Sequence, residues 1–442
     1  MFFKRVIIFF AFVTVGIALA YNYSHRLRVA ERPFLEIEFL KEVFPLADNF
    51  SQKKGSPPHY EAYKDKRLIG FCFLTTDIAP EIRGYGGPIQ IMVGMDLEGK
   101  ITGVEILQHN ETPVYVQEIY ESWFTEQFKG KDATDKLLIG EDLDGITQAT
   151  ITTTAIAQGV RKSVNIITKE VLHKEVAKAE VEELTFWERW QLFLLGTIFV
   201  VALVGFFRRK RWLRYFVLIC ALIFIGFYKN NFLSLINIIN SLTGRFPPLP
   251  HGSFWYLLAG LILVSTIFWG RFYCGWLCPF GAIEEIIHRK RYKLQVSSLE
   301  SELKRVKYFL VWIAIILALV LDNVSAGNYE PFTVIFNQKG STLLVSFLIG
   351  ILFFSLFYYR FWCRYFCPVG AVLGLVSSLS IWKLRSGENC TFCQSCLNNC
   401  PMQAIEVRDK EKITINHLEC IHCNECIGVC RQGSLNRRRR GV

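Results

Sequence analysis

The residues with the most chemistry in them are cysteines. Fourteen occur in 442 residues. Eight fall in two tight runs near the end: Cys390, Cys393, Cys396 and Cys400, then Cys420, Cys423, Cys426 and Cys430. Both runs read C-x2-C-x2-C-x3-C, and Pro401 follows the first. This is the spacing with which thiolates hold [4Fe–4S] clusters, the fourth cysteine of each run serving the other cluster. It assigns Cys390, Cys393, Cys396 and Cys430 to one centre, and Cys420, Cys423, Cys426 and Cys400 to a second. Zinc is the alternative, but structural zinc sites separate their cysteine pairs by longer gaps. The chemistry expected at this end is electron transfer.

Four further cysteines sit in a repeat. Residues 271–282 read RFYCGWLCPFGA and residues 360–371 read RFWCRYFCPVGA. The shared frame places Cys274 and Cys278 in one copy and Cys363 and Cys367 in the other. In a helix, positions four apart share a face, so each pair is expected on one helical turn, with the following proline at a turn or helix start. Four thiols from two related copies suit one shared cluster. A zinc site, or free thiols in a structural motif, remain alternatives. The flanking arginines and aromatics are expected to be interfacial anchors.

Apolar residues make up 51% of the chain, and they are bunched. Six stretches are read as long enough to cross a hydrocarbon core of ~30 Å, the shorter ones relying on flanking aromatics to reach the interface. They are Val6–Ala20, Trp190–Phe207, Trp212–Phe227, Phe254–Phe268, Tyr308–Leu321 and Leu343–Tyr358. The expected fold class is a polytopic α-helical membrane protein of about six spans, with a soluble domain near each end. Four segments follow: 1–22 an anchor or cleavable signal, 23–187 an outer α+β domain, 188–382 a five-helix membrane domain, and 383–442 the two-cluster domain.

The net charge of +11 gathers beside the spans, at Lys4 and Arg5, Arg208–Arg211 with Arg214, and Arg289–Lys293. Positive loops mark the cytoplasmic side. The two-cluster tail is then cytoplasmic, where thiols stay reduced, and 23–187 is extracytoplasmic. The segments Lys229–Ser253 and Asp322–Lys339 are expected outside as well. Nucleic acid is not needed to explain the charge, and no helix-turn-helix with a basic recognition helix is visible. The closing Arg437–Arg440 run fits anionic lipid, a partner or a solvated tail. Cys72 and Cys220 lie in apolar runs and are expected to be packing residues.

The outer domain reads as strand, turn, strand. Ile89, Ile91, Val93 and Met95 alternate, Glu98-Gly99 breaks the run, and Ile101, Val104 and Ile106 follow. Around it lie Gly84-Tyr85-Gly86-Gly87-Pro88, His109-Asn110-Glu111-Thr112-Pro113 and Asp144-Gly145-Ile146-Thr147-Gln148-Ala149-Thr150. Composition alone gives a small binding domain, with Thr150–Thr154 a strand or helix start.

At these residues the domain resembles the FMN-binding domain of the small flavin subunits of the Rnf and sodium-pumping NADH:quinone oxidoreductase complexes. Their D-x-x-[S/T]-G-A-T motif ends in a threonine esterified to FMN phosphate. Asp144, Thr147, Ala149 and Thr150 match it, with Gln148 in place of the usual glycine. The resemblance implies covalent FMN on Thr150. It also implies a binding site including Asp144, Thr147, Ala149, Gly86, Gly87, His109, Glu111 and Thr112, and maturation by an FAD-dependent flavin transferase. The order of the parts resembles the NosR/NirI family, and the membrane half resembles NapH-type ferredoxin proteins.

Together the parts imply an oxidoreductase of quinol-dehydrogenase type in the bacterial inner membrane. Electrons would pass from a cytoplasmic donor or quinol to the outer flavin, and on to a periplasmic redox partner. A redox sensor, or a structural subunit of a larger respiratory complex, are the competing readings. A cluster at the inner membrane edge leaves a gap toward the flavin, because the core is ~30 Å thick.

Overall fold

The computed structural model describes residues 11–24, 36–84, 87–109, 122–139, 142–146, 150–174, 186–244, 246–247, 252–288, 300–321, 323–337, 341–408 and 412–439. The chain divides into two compact units. One takes in Met1–Glu183, Ile239–Gly252 and Ile316–Gly327, and the other Leu184–Ile238, Ser253–Ile315 and Asn328–Val442.

In the first unit, helix α1 (Ala11–Ser24) precedes an antiparallel sheet. Its strands run in chain order: β1 (Asn49–Phe50), β2 (Tyr60–Lys64), β3 (Arg67–Leu74), β4 (Gln90–Asp96) and β5 (Ile101–Gln108). The expected strand-turn-strand is β4–β5. Asp96 Oδ1 accepts from the Glu98 and Lys100 amides at 2.9 and 2.8 Å, and Gly99 takes φ +99°. The aspartate supplies the local acceptors of the turn and glycine supplies the left-handed residue.

Both faces of the sheet are covered. Ile91, Val93 and Met95 face α5 (Thr150–Glu170), whose Ile156, Val160, Val164 and Ile167 form a helical stripe. Leu74, Cys72 and Met92 face α2 (Glu36–Val43), packing on Leu40, Val43 and Phe44. Cys72 is therefore a buried strand residue, as expected. Gly94 and Gly103 pair across β4 and β5 beneath the end of α2. A Cβ on either would stand 2.5 or 2.7 Å from the Val43 carbonyl oxygen, which also accepts from Thr102 Oγ1 at 2.8 Å.

Beyond α1, all the described apolar spans are helices too. They are α6 (Phe186–Arg208), α7 (Arg211–Ala221, continued by a π-helix over Leu222–Tyr228), α8 (Ser253–Trp269), α11 (Glu300–Val320) and α13 (Thr342–Phe357). Among the described residues two helical stretches, Phe186–Arg208 and Arg211–Tyr228, are long and apolar enough to cross a membrane. The others are shorter, or carry charges at one end as α11 does.

The repeat folds alike in both copies. Short helices α9 (Phe272–Trp276) and α14 (Phe361–Tyr365) are each followed by a new helix, α10 (Pro279–Ile287) and α15 (Pro368–Ser377). Proline at the first helical position explains both restarts.

The tail has two small sheets, β6 (Trp382–Ser386) with β9 (Leu435–Arg439), and the hairpin of β7 (Ile405–Arg408) and β8 (Lys412–Ile415). Short helices α16 (Ser395–Asn398) and α17 (Glu425–Val429) carry one cysteine from each run. Phe392 and Gln394, and likewise His422 and Asn424, have positive φ between 49° and 66°. The two cysteine runs thus share one backbone path.

Gly103→Val should cost about 1–3 kcal/mol, the usual range for overpacking. Hydrogen exchange across β4 and β5 should speed up accordingly. Unchanged exchange would mean that α2 shifts without penalty.

Candidate functional site

Cysteines of the two runs come together in the tail. Cys400, Cys420, Cys423 and Cys426 line one cavity of ≈ 420 Å³ of atom-free space, with Pro401, Met402, Ile421 and Ile427 among its walls. Cys400 comes from the first run and the other three from the second. Burial pushes the Cys420 and Cys423 thiols up to about 12, with the Arg214 guanidinium acting against this at Cys423. A thiolate there is costly unless a bound cation holds the charge. The other set is more open: Cys393 is exposed, and Cys430 Sγ lies 3.3 Å from Ser434 Oγ.

The repeat cysteines also converge. Cys274, Cys278, Cys363 and Cys367 line a second cavity, of ≈ 410 Å³ of atom-free space, walled by Phe232, Leu233, Phe280, Phe332 and Phe336. The expectation that each pair shares one helical turn is corrected. Cys274 and Cys363 lie inside α9 and α14, whereas Cys278 and Cys367 are extended N-caps of α10 and α15, with ψ of 117° and 115°. The proline after each second cysteine cannot continue the preceding helix, so the chain turns and brings that thiol to a helix start. Cys367 Sγ there accepts the Gly370 amide at 3.2 Å.

The flanking arginines are not interfacial anchors. Arg271 and Arg360 are 1% and 0% exposed. Each reaches over the glycine of the other copy: a Cβ on Gly370 would meet Arg271 Nη2 at 2.6 Å, and one on Gly281 would meet Arg360 Nη1 at 3.1 Å. Arg360 donates to the Cys274 carbonyl at 2.7 Å and pairs with Glu285 at 2.6 Å. Glu285 also pairs with Arg214 at 2.5 Å. Arg271 pairs with Glu419 at 3.3 Å, and Lys307 Nζ donates to the same carboxylate. Glu284 accepts the amides of Trp362 at 2.7 Å and Cys363 at 3.3 Å, fixing the start of α14.

Sequence reasoning passed over Glu284, Glu285 and Glu419, and took Arg214 for a loop charge, whereas it is 1% exposed within α7. A signal existed for the first two: adjacent glutamates inside an otherwise apolar helix mark a site that must be paired. The closing arginines are also reassigned in part, since the Arg437 guanidinium lies 3.6 Å from the centre of the Phe206 ring.

In the flavin region, Thr150 is the first residue of α5, so the helix-start alternative holds. Asp144 is exposed, Gly87 has φ +129°, and His109 ends just beyond β5, its imidazole held below the ordinary value by burial. A small cleft between the sheet and α5 is lined by Thr75, Ile82, Gly84, Ile89, Ala155 and Gly159. Gly86, Glu111, Thr112, Thr147 and Ala149, and the side chain of Thr150, lie outside the described residues.

Residues 84–165 match the family model of an FMN-binding domain, 252–295 and 341–386 that of a 4Fe-4S binding domain, and 389–435 that of a 4Fe-4S dicluster domain. An uncharacterized protein of Methanocaldococcus jannaschii is 33% identical over 42% of this chain and 80% of its own length. One component of the proton-translocating ferredoxin:NAD(+) oxidoreductase complex of Clostridium ljungdahlii is 30% identical over 35% of this chain and 84% of its own. The regulatory protein NosR of Stutzerimonas stutzeri is 31% identical over 48% of this chain, which spans 32% of that relative.

The chain belongs to the NosR/NirI-like FMN and iron–sulfur proteins. This NosR/NirI-like chain carries an FMN-binding domain and ferredoxin-type domains, and its role is electron transfer.

Arg360→Gln leaves Glu285 buried with one of its two cations missing. Breaking a buried pair costs about 3–5 kcal/mol, so thermal stability should drop steeply. Arg360→Lys should not restore it, because a single ammonium cannot serve Glu285 and the Cys274 carbonyl together. Full rescue by lysine would show that only the charge matters.

Proposed function

We propose that the protein is a membrane electron conduit in which tail clusters, a four-cysteine centre in the repeat and a covalent flavin form one redox system. The observation that carries this reading is the placement of the two cysteine cavities. The one formed by Cys400, Cys420, Cys423 and Cys426 lies in a loop layer held against the repeat, and the repeat holds Cys274, Cys278, Cys363 and Cys367. The thiols ring cavities rather than gathering on one point. Among the described residues no three His, Cys, Asp or Glu side chains stand close enough for a single ion. A single zinc draws its sulfurs to about 2.3 Å, so the arrangement favours clusters.

In each centre the chain's own work is to supply thiolates, exclude water and fix the local charge; the clusters supply one-electron chemistry when bound. Cys390, Cys393, Cys396 and Cys430 would hold the remaining tail cluster. Near the repeat centre, Arg271 and Arg360 place two buried cations, which favours an anionic cluster over free thiols.

The repeat centre is best read as lying within the hydrocarbon thickness rather than at its inner edge. The tail layer covers one side of the repeat. Phe232, Leu233, Phe332 and Phe336, from segments that the charge pattern assigns outside, wall the cavity. The donor on this reading is a cytoplasmic carrier or quinol, and the acceptor is a periplasmic redox partner reached through FMN.

Thr150 is proposed as the flavin attachment point. As the opening residue of a 21-residue helix, it would place the FMN phosphate at a helix N-terminus, where orphan amides and the helix dipole favour an anion. Thr150→Ala should abolish flavin fluorescence on a denaturing gel while the protein still accumulates. Persisting fluorescence would move the attachment or sink it.

For the conduit itself, Cys274→Ser with Cys363→Ser should leave flavin and tail clusters loaded. It should also nearly abolish electron transfer across proteoliposomes to an impermeant outer acceptor, because serine lacks the soft thiolate that holds iron. Equal rates for both proteins would reduce the repeat to scaffolding.

A further inference from the structure

We infer that the tail cluster held by Cys400, Cys420, Cys423 and Cys426, and not its neighbour, is the one that exchanges electrons with the repeat centre, across a contact set by Gly275 and Arg364. The inference rests on the cluster assignments proposed above. Gly275 and Arg364 occupy the same place in the two copies of the repeat, directly after Cys274 and Cys363. The two residues differ completely in size, yet each meets a main-chain carbonyl of the same tail centre.

Gly275 lies against Ile421, the residue after Cys420. A Cβ at Gly275 would overlap the Ile421 carbonyl oxygen and stand 3.6 Å from the Cys423 amide. Arg364 donates from Nε at 3.0 Å and from Nη2 at 2.7 Å to the carbonyl of Pro401, the residue after Cys400. Beside them Trp276 Nε1 donates to the His422 carbonyl at 3.2 Å. Both halves of the repeat therefore grip the loops that carry one cysteine set. In the other set Cys393 is exposed, as suits the end that meets a soluble donor.

The close approach has a physical reason at each copy. At Gly275 two backbones touch because no side chain intervenes, the use of glycine where main chains must come together. At Arg364 the guanidinium fork holds one carbonyl through two donors and is itself 3% exposed, paired to Glu300 at 3.3 Å. The step is a single electron transfer. One electron leaves the tail centre, which is oxidised by one, and enters the repeat centre, which is reduced by one. No bond or proton changes place. A reduced one-electron carrier supplies the electron in the cell, and dithionite supplies it in the test.

The test uses full-length protein purified anaerobically in detergent. Electron paramagnetic resonance of the dithionite-reduced sample should show spin–spin coupling between the repeat centre and one tail centre. Cys426→Ser should abolish that coupling, and Cys393→Ser should leave it. Gly275→Val should keep the iron content and weaken the coupling. It should also measurably slow arrival of the electron at the repeat centre, followed by freeze-quench.

Coupling that survives Cys426→Ser and is lost with Cys393→Ser would overturn the inference while leaving the conduit intact. So would coupling in Gly275→Val equal to that of the parent. An iron content accounted for by the tail alone, with no third centre, would instead overturn the assignment of the repeat cysteines. If Gly275→Val does not accumulate, the comparison of the two cysteine variants still decides.

Discussion

A single buried carboxylate organises the second unit. Glu285 has a side chain 1% exposed and pairs with Arg214 at 2.5 Å and Arg360 at 2.6 Å. Charges in so dry a place are tolerated only when they are paired and hydrogen-bonded. Arg214 therefore also donates to the Gly275 carbonyl at 2.9 Å, and Arg360 to the Cys274 carbonyl. Through these bonds the carboxylate on α10 fixes the start of α7 and the backbone around the first cysteine of one copy. It also fixes the residue that opens the other copy. A second cluster, Arg271 with Glu419 and Lys307, ties the tail to the same layer. In this second group two cations share one carboxylate, a surplus suited to the anionic cluster proposed among the four thiolates.

The exchange of arginines explains why the motif is doubled. Arg271 belongs to the first copy and covers Gly370 of the second; Arg360 belongs to the second and covers Gly281 of the first. Neither copy is complete alone. The glycine two residues past each proline is needed because a guanidinium occupies the space where a side chain would lie. The proline starts the helix that presents the second cysteine at its N-cap, and the first cysteine comes from the preceding short helix. Cysteine, proline, glycine and arginine thus each answer a separate geometric demand of one four-thiol cavity.

The flavin-binding unit solves a different problem. A sheet buried on both faces needs a helix on each. α5 supplies one and α2 the other, with paired glycines giving α2 its close seat. α5 then has two tasks, since its interior stripe holds the core while its first residue is the proposed flavin attachment point.

Much of this was legible in the sequence because it depends on local spacing. The two C-x2-C-x2-C-x3-C runs specify loops whose backbone repeats at Phe392 and His422 and at Gln394 and Asn424. Alternation through Ile91, Val93 and Met95 gave a strand, and Pro279 and Pro368 gave helix starts. Interactions between distant segments were not legible. Nothing near Arg360 in the chain shows that it faces Glu285, 75 residues earlier, and an arginine beside an apolar run looks the same whether it anchors at an interface or is buried. Equally, the proposed assignment of cysteines to the two tail clusters comes from the sequence by itself. Only the tertiary structure decided which set lies against the repeat, because that depends on Gly275 and Arg364 meeting carbonyls that follow Cys420 and Cys400, a matter of packing rather than of spacing.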